Sequence, residues 1–294
     1  MSNSVCEDMN NFNIQENEIN KIFNKYITFN DHKLNKYKLI KNKQIDEEDT
    51  FKNNDINIIN NTGYKKYYKN GNIKVDGTFE NGYIHSINNS ICKIYYENGN
   101  INVEGTYING KLHSINRSIC KSYYENGNIN VEGTYINGKL HSIDGSICKI
   151  YNRNGNISME GTYFDGKFHS INGSICKEYY KNGNIKYEGT YENGHFKSIN
   201  EESICKVYYE NGKMKLEGTF INDKLESIND SICKSYYENG NKFFVGTFKN
   251  GNPHSINEES ICKVYYENGN IKMEGTIENN DLHSINGSIC KGYY

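Results

Sequence analysis

Tryptophan and alanine are absent from this 294-residue chain, proline occurs once (Pro253) and arginine twice (Arg117 and Arg153). Lacking alanine, the strongest helix former, and holding 26 Tyr and 50 Asn, the chain favours strands and turns over helices. No apolar run approaches the length of a membrane span, no signal peptide opens the sequence, and Cys290 stands too far from the end for a prenylation box. Hydrophobic residues amount to 35%, too few for one large globular core, yet 13% aromatic residues is too many for a disordered chain. Neither sign of charge dominates. The 34 Lys+Arg face 36 Asp+Glu, whereas nucleic-acid and membrane-surface proteins usually carry a basic surplus. Walker A, G-x-G-x-x-G after a strand, H-E-x-x-H, G-x-S-x-G and C-x-x-C are all missing, as are paired carboxylates away from lysines. The expectation is a non-enzymatic protein with no catalytic residue, no metal, no cofactor and no nucleic-acid partner.

What the chain does contain is a repeat, which decides the fold before any local reading. One copy runs Y-Y-E-N-G-N-I-N-V-E-G-T-Y-I-N-G-K-L-H-S-I-D-G-S-I-C-K-I, from Tyr123 to Ile150. Copies begin at Tyr67, Tyr95, Tyr123, Tyr151, Tyr179, Tyr208, Tyr236 and Tyr265, six of them 28 residues long. Those from Tyr179 and Tyr236 have 29, the extra residue always falling where N-x-S becomes N-E-E-S (Asn200 to Ser203, Asn257 to Ser260). Insertions are tolerated where backbone lies on the surface, so this point is a turn or bulge.

Asn126-Gly127 separates two strand-like runs, and Asn-Gly readily supplies the two positive φ angles of a type I′ turn. A two-residue hairpin there sets Tyr124 opposite Ile129, Tyr123 opposite Asn130, Lys121 opposite Glu132 and Cys120 opposite Gly133. One face then carries Cys120, Tyr124, Ile129, Val131, Gly133 and Tyr135. The other, mixed face carries Ile119, Lys121, Tyr123, Asn130, Glu132 and Thr134. The Lys/acid pairing recurs at Lys65/Asp76, Lys93/Glu104, Lys149/Glu160, Lys177/Glu188, Lys206/Glu217 and Lys263/Glu274. Lys234 lacks it, because Val245 stands opposite. Each such pair contributes roughly 0.2–1 kcal/mol, and a slip of one residue would break every pair. A second turn follows at Asn137-Gly138. The expected fold is all-β: an elongated open meander of antiparallel β-hairpin repeats over residues 62–294, about eight units. Each copy is stabilised by its neighbours, since one copy cannot bury its apolar face alone. Residues 1–61 form a separate N-terminal segment, partly helical or disordered. Apolar spacing suggests a short helix over 17–27, placed to cap the first strand.

The copy resembles the MORN repeat, in the variant also found in bacterial antitoxin-like proteins, through Tyr124, Asn126, Gly127, Glu132, Gly133, Tyr135, Asn137, Gly138, Lys139 and His141. It departs at the residue after the His, where the family's Gly is Ser, as at Ser114 and Ser142, and it has no Trp. The resemblance implies a hairpin meander with a groove, used for protein–protein contact, dimerisation or phospholipid binding. The function expected is a scaffold for a protein partner. The alternatives are a peripheral phospholipid-binding module and an antitoxin-like inhibitor of one partner protein.

Candidate residues fall in columns. Cys92, Cys120, Cys148, Cys176, Cys205, Cys233, Cys262 and Cys290 recur once per copy. Two strands per copy separate equivalent positions by about 9.5 Å, beyond disulfide reach, so no disulfide is expected and each Cys reads as a small buried residue opposite Gly. Unbridged thiols point to a reducing, cytoplasmic location, with membrane association tied to the lipid alternative. His85, His113, His141, His169, His254 and His283 read as turn residues. The first tyrosines of the copies, Tyr67, Tyr95, Tyr123, Tyr151, Tyr179, Tyr208, Tyr236 and Tyr265, form a column with two readings: a low-entropy contact surface, or core if the sheet curls. Phe243 and Phe244, with Lys242, Val245 and Pro253 nearby, mark one deviant copy as a partner-specific patch. The C-terminal strand Lys291–Tyr294 lacks a partner, leaving an edge on which a homodimer could form.

Overall fold

A computed structural model describes residues 63–278 and 281–293. The expected helix at 17–27, and the rest of segment 1–61, lie outside the described residues. Among the described residues the helical segments are three-residue 3-10 turns, and everything else regular is β. The contacts divide the chain into two compact units, residues 32–184 with 191–194 and residues 185–190 with 195–294 in their described parts. Each is built from the same copy. In each unit the main strands build an antiparallel meander, and the remaining strands form two-stranded side hairpins.

In the first unit, strand Cys120–Tyr123 pairs with Ile129–Gly133. The chain then forms a small hairpin, Tyr135–Ile136 with Lys139–Leu140. It crosses a 3-10 turn at Ile143–Gly145 and returns as Cys148–Tyr151, which pairs with the free side of Ile129–Gly133 through Val131↔Ile150 and Glu132↔Lys149. The second unit repeats this at Cys205–Tyr208 with Met214–Gly218, Cys233–Tyr236 with Lys242–Gly246, and Cys262–Tyr265 with Ile271–Gly275.

Both turns differ from simple expectation. At Asn126-Gly127 the Gly127 N–H donates to Tyr124 C=O at 2.9 Å, and the Tyr124 N–H donates to Asn128 C=O at 2.8 Å. The loop is therefore three residues, a turn followed by Gly127 at φ 89, rather than a two-residue I′ turn. The extra loop residue shifts Tyr123 opposite Ile129, and a bulge at Asn130 restores Ser122↔Val131, Lys121↔Glu132 and Cys120↔Gly133. Two one-residue offsets cancel, which is why the ion-pair register follows the expected pattern. The I′ turn belongs to the second Asn-Gly, where Asn137 and Gly138 take φ 51 and 82. The length-variable bend is a left-handed turn in the shorter copies, with Asn116 and Arg117 at φ 52 and 61. In the longer copies the added residue relieves this conformation, and the Asn200 side chain accepts from the Glu202 and Ser203 N–H groups at 3.2 and 3.0 Å.

The core lies between the main strands and the side hairpins. Cys120, Val131, Tyr135 and Leu140 are buried, but Tyr124 and Ile129 are only half-buried because the bulge displaces them. Thr134, expected on the mixed face, is fully buried. The chain leaves the sheet after Gly133, so strand alternation ends there. Thr134 Oγ1 donates to His141 C=O at 2.5 Å and accepts from the Ile143 N–H at 3.1 Å, tying the side hairpin to the 3-10 turn.

Neighbouring copies close each other's backbone. The Ser142 N–H donates to Tyr163 C=O at 2.8 Å, and Ser142 Oγ accepts from the Tyr163 N–H at 2.9 Å. The same clasp joins Ser114 to Tyr135 and, in the second unit, Ser227 to Phe248. Serine after the histidine is thus a linking residue, which a glycine could not be. Ser142→Ala strands the buried Tyr163 N–H and is expected to cost about 1–3 kcal/mol. Ser235 is the opposite case. Its Oγ is buried without a hydrogen-bond partner, at a place where the adjacent copies hold Val207 and Val264. Ser235→Val is expected to gain about 1 kcal/mol. Urea unfolding of both variants checks the two signs.

Candidate interaction face

The mixed face is organised by one transverse row of charge. In the first unit Lys65, Asp76, Lys93, Glu104, Lys121, Glu132, Lys149 and Glu160 stand side by side on successive strands. In the second, the row reads Glu188, Lys206, Glu217, Lys234, Val245, Lys263, Glu274 and Lys291. Each interior acid therefore has a lysine on both sides. Lys234, opposite Val245, is not left without a carboxylate: its Nζ reaches back to Glu217 Oε1 at 2.8 Å.

The tyrosine column stands on this face and not in the core. The Tyr123 phenol donates to Glu104 of the preceding copy at 2.6 Å, and Tyr151 to Glu132 at 2.6 Å. In the second unit Tyr208 donates to Glu188 and Tyr236 to Glu217, both at 2.8 Å. Rings are half-buried from Tyr95 to Tyr265, while Tyr67 is exposed. An interior acid thus accepts from a phenol and lies between two lysines. Burial raises the Tyr123, Tyr151, Tyr208 and Tyr236 pKa values well above the usual tyrosine range, and the hydrogen bond to Glu and its charge add to the rise. At Glu217 burial pushes the carboxyl upward, but hydrogen bonds from Lys234 and Tyr236 and the charges of Lys234 and Lys206 outweigh it, and the net shift is downward.

Two residues before each of these lysines from Lys93 onward stands an isoleucine that the fold leaves open. Ile119 and Ile147 are 46% and 47% exposed, and Ile175 and Ile232 each 48%. Strand alternation already put Ile119 beside Lys121 and Tyr123. Its exposure depends on the sheet keeping that side uncovered, which no local pattern states. The mixed face thus presents an apolar row, a charged row and a phenolic row, all regularly spaced.

Phe243 and Phe244 are not on it. Both rings are buried, Phe243 against Tyr237 at 5.2 Å between ring centres and Phe244 against Phe248 at 5.0 Å. The reason is compensation. A Cβ on Gly133 would stand 3.0 Å from Leu140, whereas one on Gly246 would meet the Phe244 ring at 2.9 Å. Pro253 occupies the leucine's place in that copy, paired with Phe248, and the Phe244 ring fills the space that the smaller proline leaves.

The other columns join copies. A Cβ on Gly133 would fall 2.5 Å from Cys148 Sγ, so a glycine is required for the strands to approach and the thiol fills the gap. Burial raises the Cys148 pKa, against weaker hydrogen bonds from Ser142 and Thr134, which keeps the thiol a poor nucleophile. His113 Nδ1 and His141 Nδ1 accept from the backbone N–H of the next copy's turn, at Asn137 and Asp165, both at 3.4 Å. Glu226 takes the same role toward the Asn250 N–H at 2.5 Å. Asn126 and Asn128 amides both donate to Arg153 C=O, at 3.0 and 2.8 Å. Among the described residues no three potential metal ligands gather, and no helix is long and apolar enough to cross a membrane.

A family model described as MORN repeat variant matches residues 64–81, 89–109, 119–137, 174–193, 201–222, 230–250 and 258–279. The unmatched stretch between 138 and 173 contains Asn152 in place of the second Tyr, yet the structure builds the same hairpin there, Cys148–Tyr151 with Ile157–Gly161. No curated protein matches the chain.

A raised folded-state pKa gives stability that is full below the unfolded tyrosine value, about 10, and is lost as pH rises toward the folded one. The difference in phenolate absorbance between wild type and Tyr123→Phe is therefore expected to stay flat through the ordinary tyrosine range. It should rise only where circular dichroism shows the sheet unfolding.

Proposed function

Because the chain belongs to the MORN-repeat family, whose repeats are generally protein- or lipid-interaction scaffolds and typically non-catalytic, we propose that it is a non-enzymatic scaffold holding a protein partner on its mixed sheet face. The observation that carries this reading is the row of half-exposed isoleucines beside half-buried tyrosines whose hydroxyls are fixed on glutamates. Apolar and aromatic surface on a rigid sheet favours association, because little side-chain entropy remains to be lost on binding. Lipid binding has less support: a headgroup site needs unshared positive charge, and the lysines of this face alternate with carboxylates. The buried thiol column is compatible with a reducing, cytoplasmic setting.

The test is affinity capture with the full chain, followed by mass spectrometry. A stoichiometric protein recovered by wild type and lost by Ile119→Glu/Ile147→Glu supports the reading. Robust flotation with anionic vesicles, weakened by salt, would overturn it in favour of a lipid surface.

A further inference from the structure

The row of charge contains one vacancy. Elsewhere along it the residue between two lysines is a carboxylate, and at Glu104, Glu132 and Glu217 a phenol from the next copy donates to it. At Val245 the surroundings are kept and the acid is missing. Lys234 stands opposite on one side and Lys263 on the other. Tyr265 holds the column position of Tyr123 and Tyr236, and among the described residues its hydroxyl has no hydrogen-bond partner. The two lysines turn away, Lys234 to Glu217 at 2.8 Å and Lys263 to Glu274 at 3.5 Å, with side chains 39% and 41% exposed. Those acids already have another lysine beside them, Lys206 and Lys291, so either ammonium can swing back without leaving a carboxylate unneutralised. Val245 itself is half-buried and points the same way as its flanking lysines.

We propose that the Val245 gap receives an aspartate or glutamate side chain from an extended segment of a partner protein, taken up by Lys234, Lys263 and Tyr265. This rests on the reading of the mixed face as a partner-binding surface and names the chemistry at one place on it. Charge complementarity selects the acid. Two lysines and a phenol are arranged around an aliphatic side chain, and carboxylates fill the matching places in neighbouring copies. The surroundings select a peptide rather than a free small acid. Ile232 and Ile261, 48% and 38% exposed, stand two residues before Lys234 and Lys263, immediately ahead of the strands Cys233–Tyr236 and Cys262–Tyr265. Two residues of strand span about 6.8 Å, the distance between same-side residues of an extended peptide. A segment with an apolar residue two positions from its acid therefore meets the isoleucines and the lysines together, whereas a small acid on this open face gains no apolar contact.

The probe is a blocked pentapeptide, acetyl-Val-Thr-Glu-Thr-Val-amide, titrated into the full chain with isotope-labelled Lys, Tyr and Ile and followed by NMR. Shifts concentrated at Lys234, Lys263, Tyr265, Ile232 and Ile261 are expected. Replacing the peptide's Glu by Gln is expected to weaken binding by about tenfold or more, as for a lost charge-assisted hydrogen bond. Val245→Glu supplies the acid from within and is expected to abolish these shifts. Since it installs the residue that other copies carry, circular dichroism should show a melting temperature no lower than wild type, and Val245→Ala should still bind. Should Val245→Glu fail to fold, Lys234→Gln/Lys263→Gln must lose binding instead. Equal affinity for the Glu and Gln peptides, shifts spread evenly over all copies, or unaltered binding by a folded Val245→Glu would overturn the site. Capture of the same cellular partner by wild type and Val245→Glu would also reject it while leaving the scaffold reading intact.

Discussion

No copy of this repeat can satisfy its own buried backbone. The Tyr163 N–H, at the start of one side hairpin, finds its acceptor in Ser142 of the copy before, and the Ser142 N–H finds Tyr163 C=O in return. A buried amide without a partner costs about as much as several surface contacts supply, so each copy is ordered only when the next is in place. Parallel links reinforce the same dependence: the Tyr124 phenol donating to Tyr151 C=O at 2.7 Å, the Asn126 and Asn128 amides on Arg153 C=O, and Gly138 N–H donating to Leu112 C=O at 2.7 Å. Length in such an array is a source of stability as well as surface.

The two faces divide the work. On the core side, glycine and cysteine are one device shared between copies, since only the missing Cβ of Gly133 allows Cys148 to approach. Size changes there are matched in place, as Phe244 and Pro253 show. On the mixed side the lysines, acids and phenols are spread thinly enough to leave isoleucine exposed, yet are fixed in position by hydrogen bonds. Its rows are held in place by hydrogen bonds between copies, as from Tyr123 to Glu104 and from Tyr151 to Glu132.

Much was legible from residues alone because the repeat multiplies every weak signal. The Lys121/Glu132 register, the Cys120/Gly133 pairing and the surface position of the inserted residue all follow from period and alternation. The first turn was not legible: Asn126-Gly127 and Asn137-Gly138 carry the same dipeptide. What separates them is that Asn126 and Asn128 reach Arg153 of the next copy, a contact far away in sequence. Phe243 and Phe244 were misplaced for a related reason. Their departure from the repeat read as a partner-specific patch, whereas both are buried, and only the proline across the side hairpin explains the space that takes Phe244.

The amino-acid order by itself determined the all-β class, the 28-residue period, the charge register and the identity of the repeated columns, because those depend on neighbours along one strand or one hairpin. The tertiary structure alone decided which Asn-Gly adopts which turn, that the tyrosine column stands half-buried on glutamates, that Ser142 links copies, and that Lys234 turns back to Glu217. Those outcomes depend on groups a full copy apart, where the packing of one hairpin on the next, rather than local preference, sets the lowest free energy.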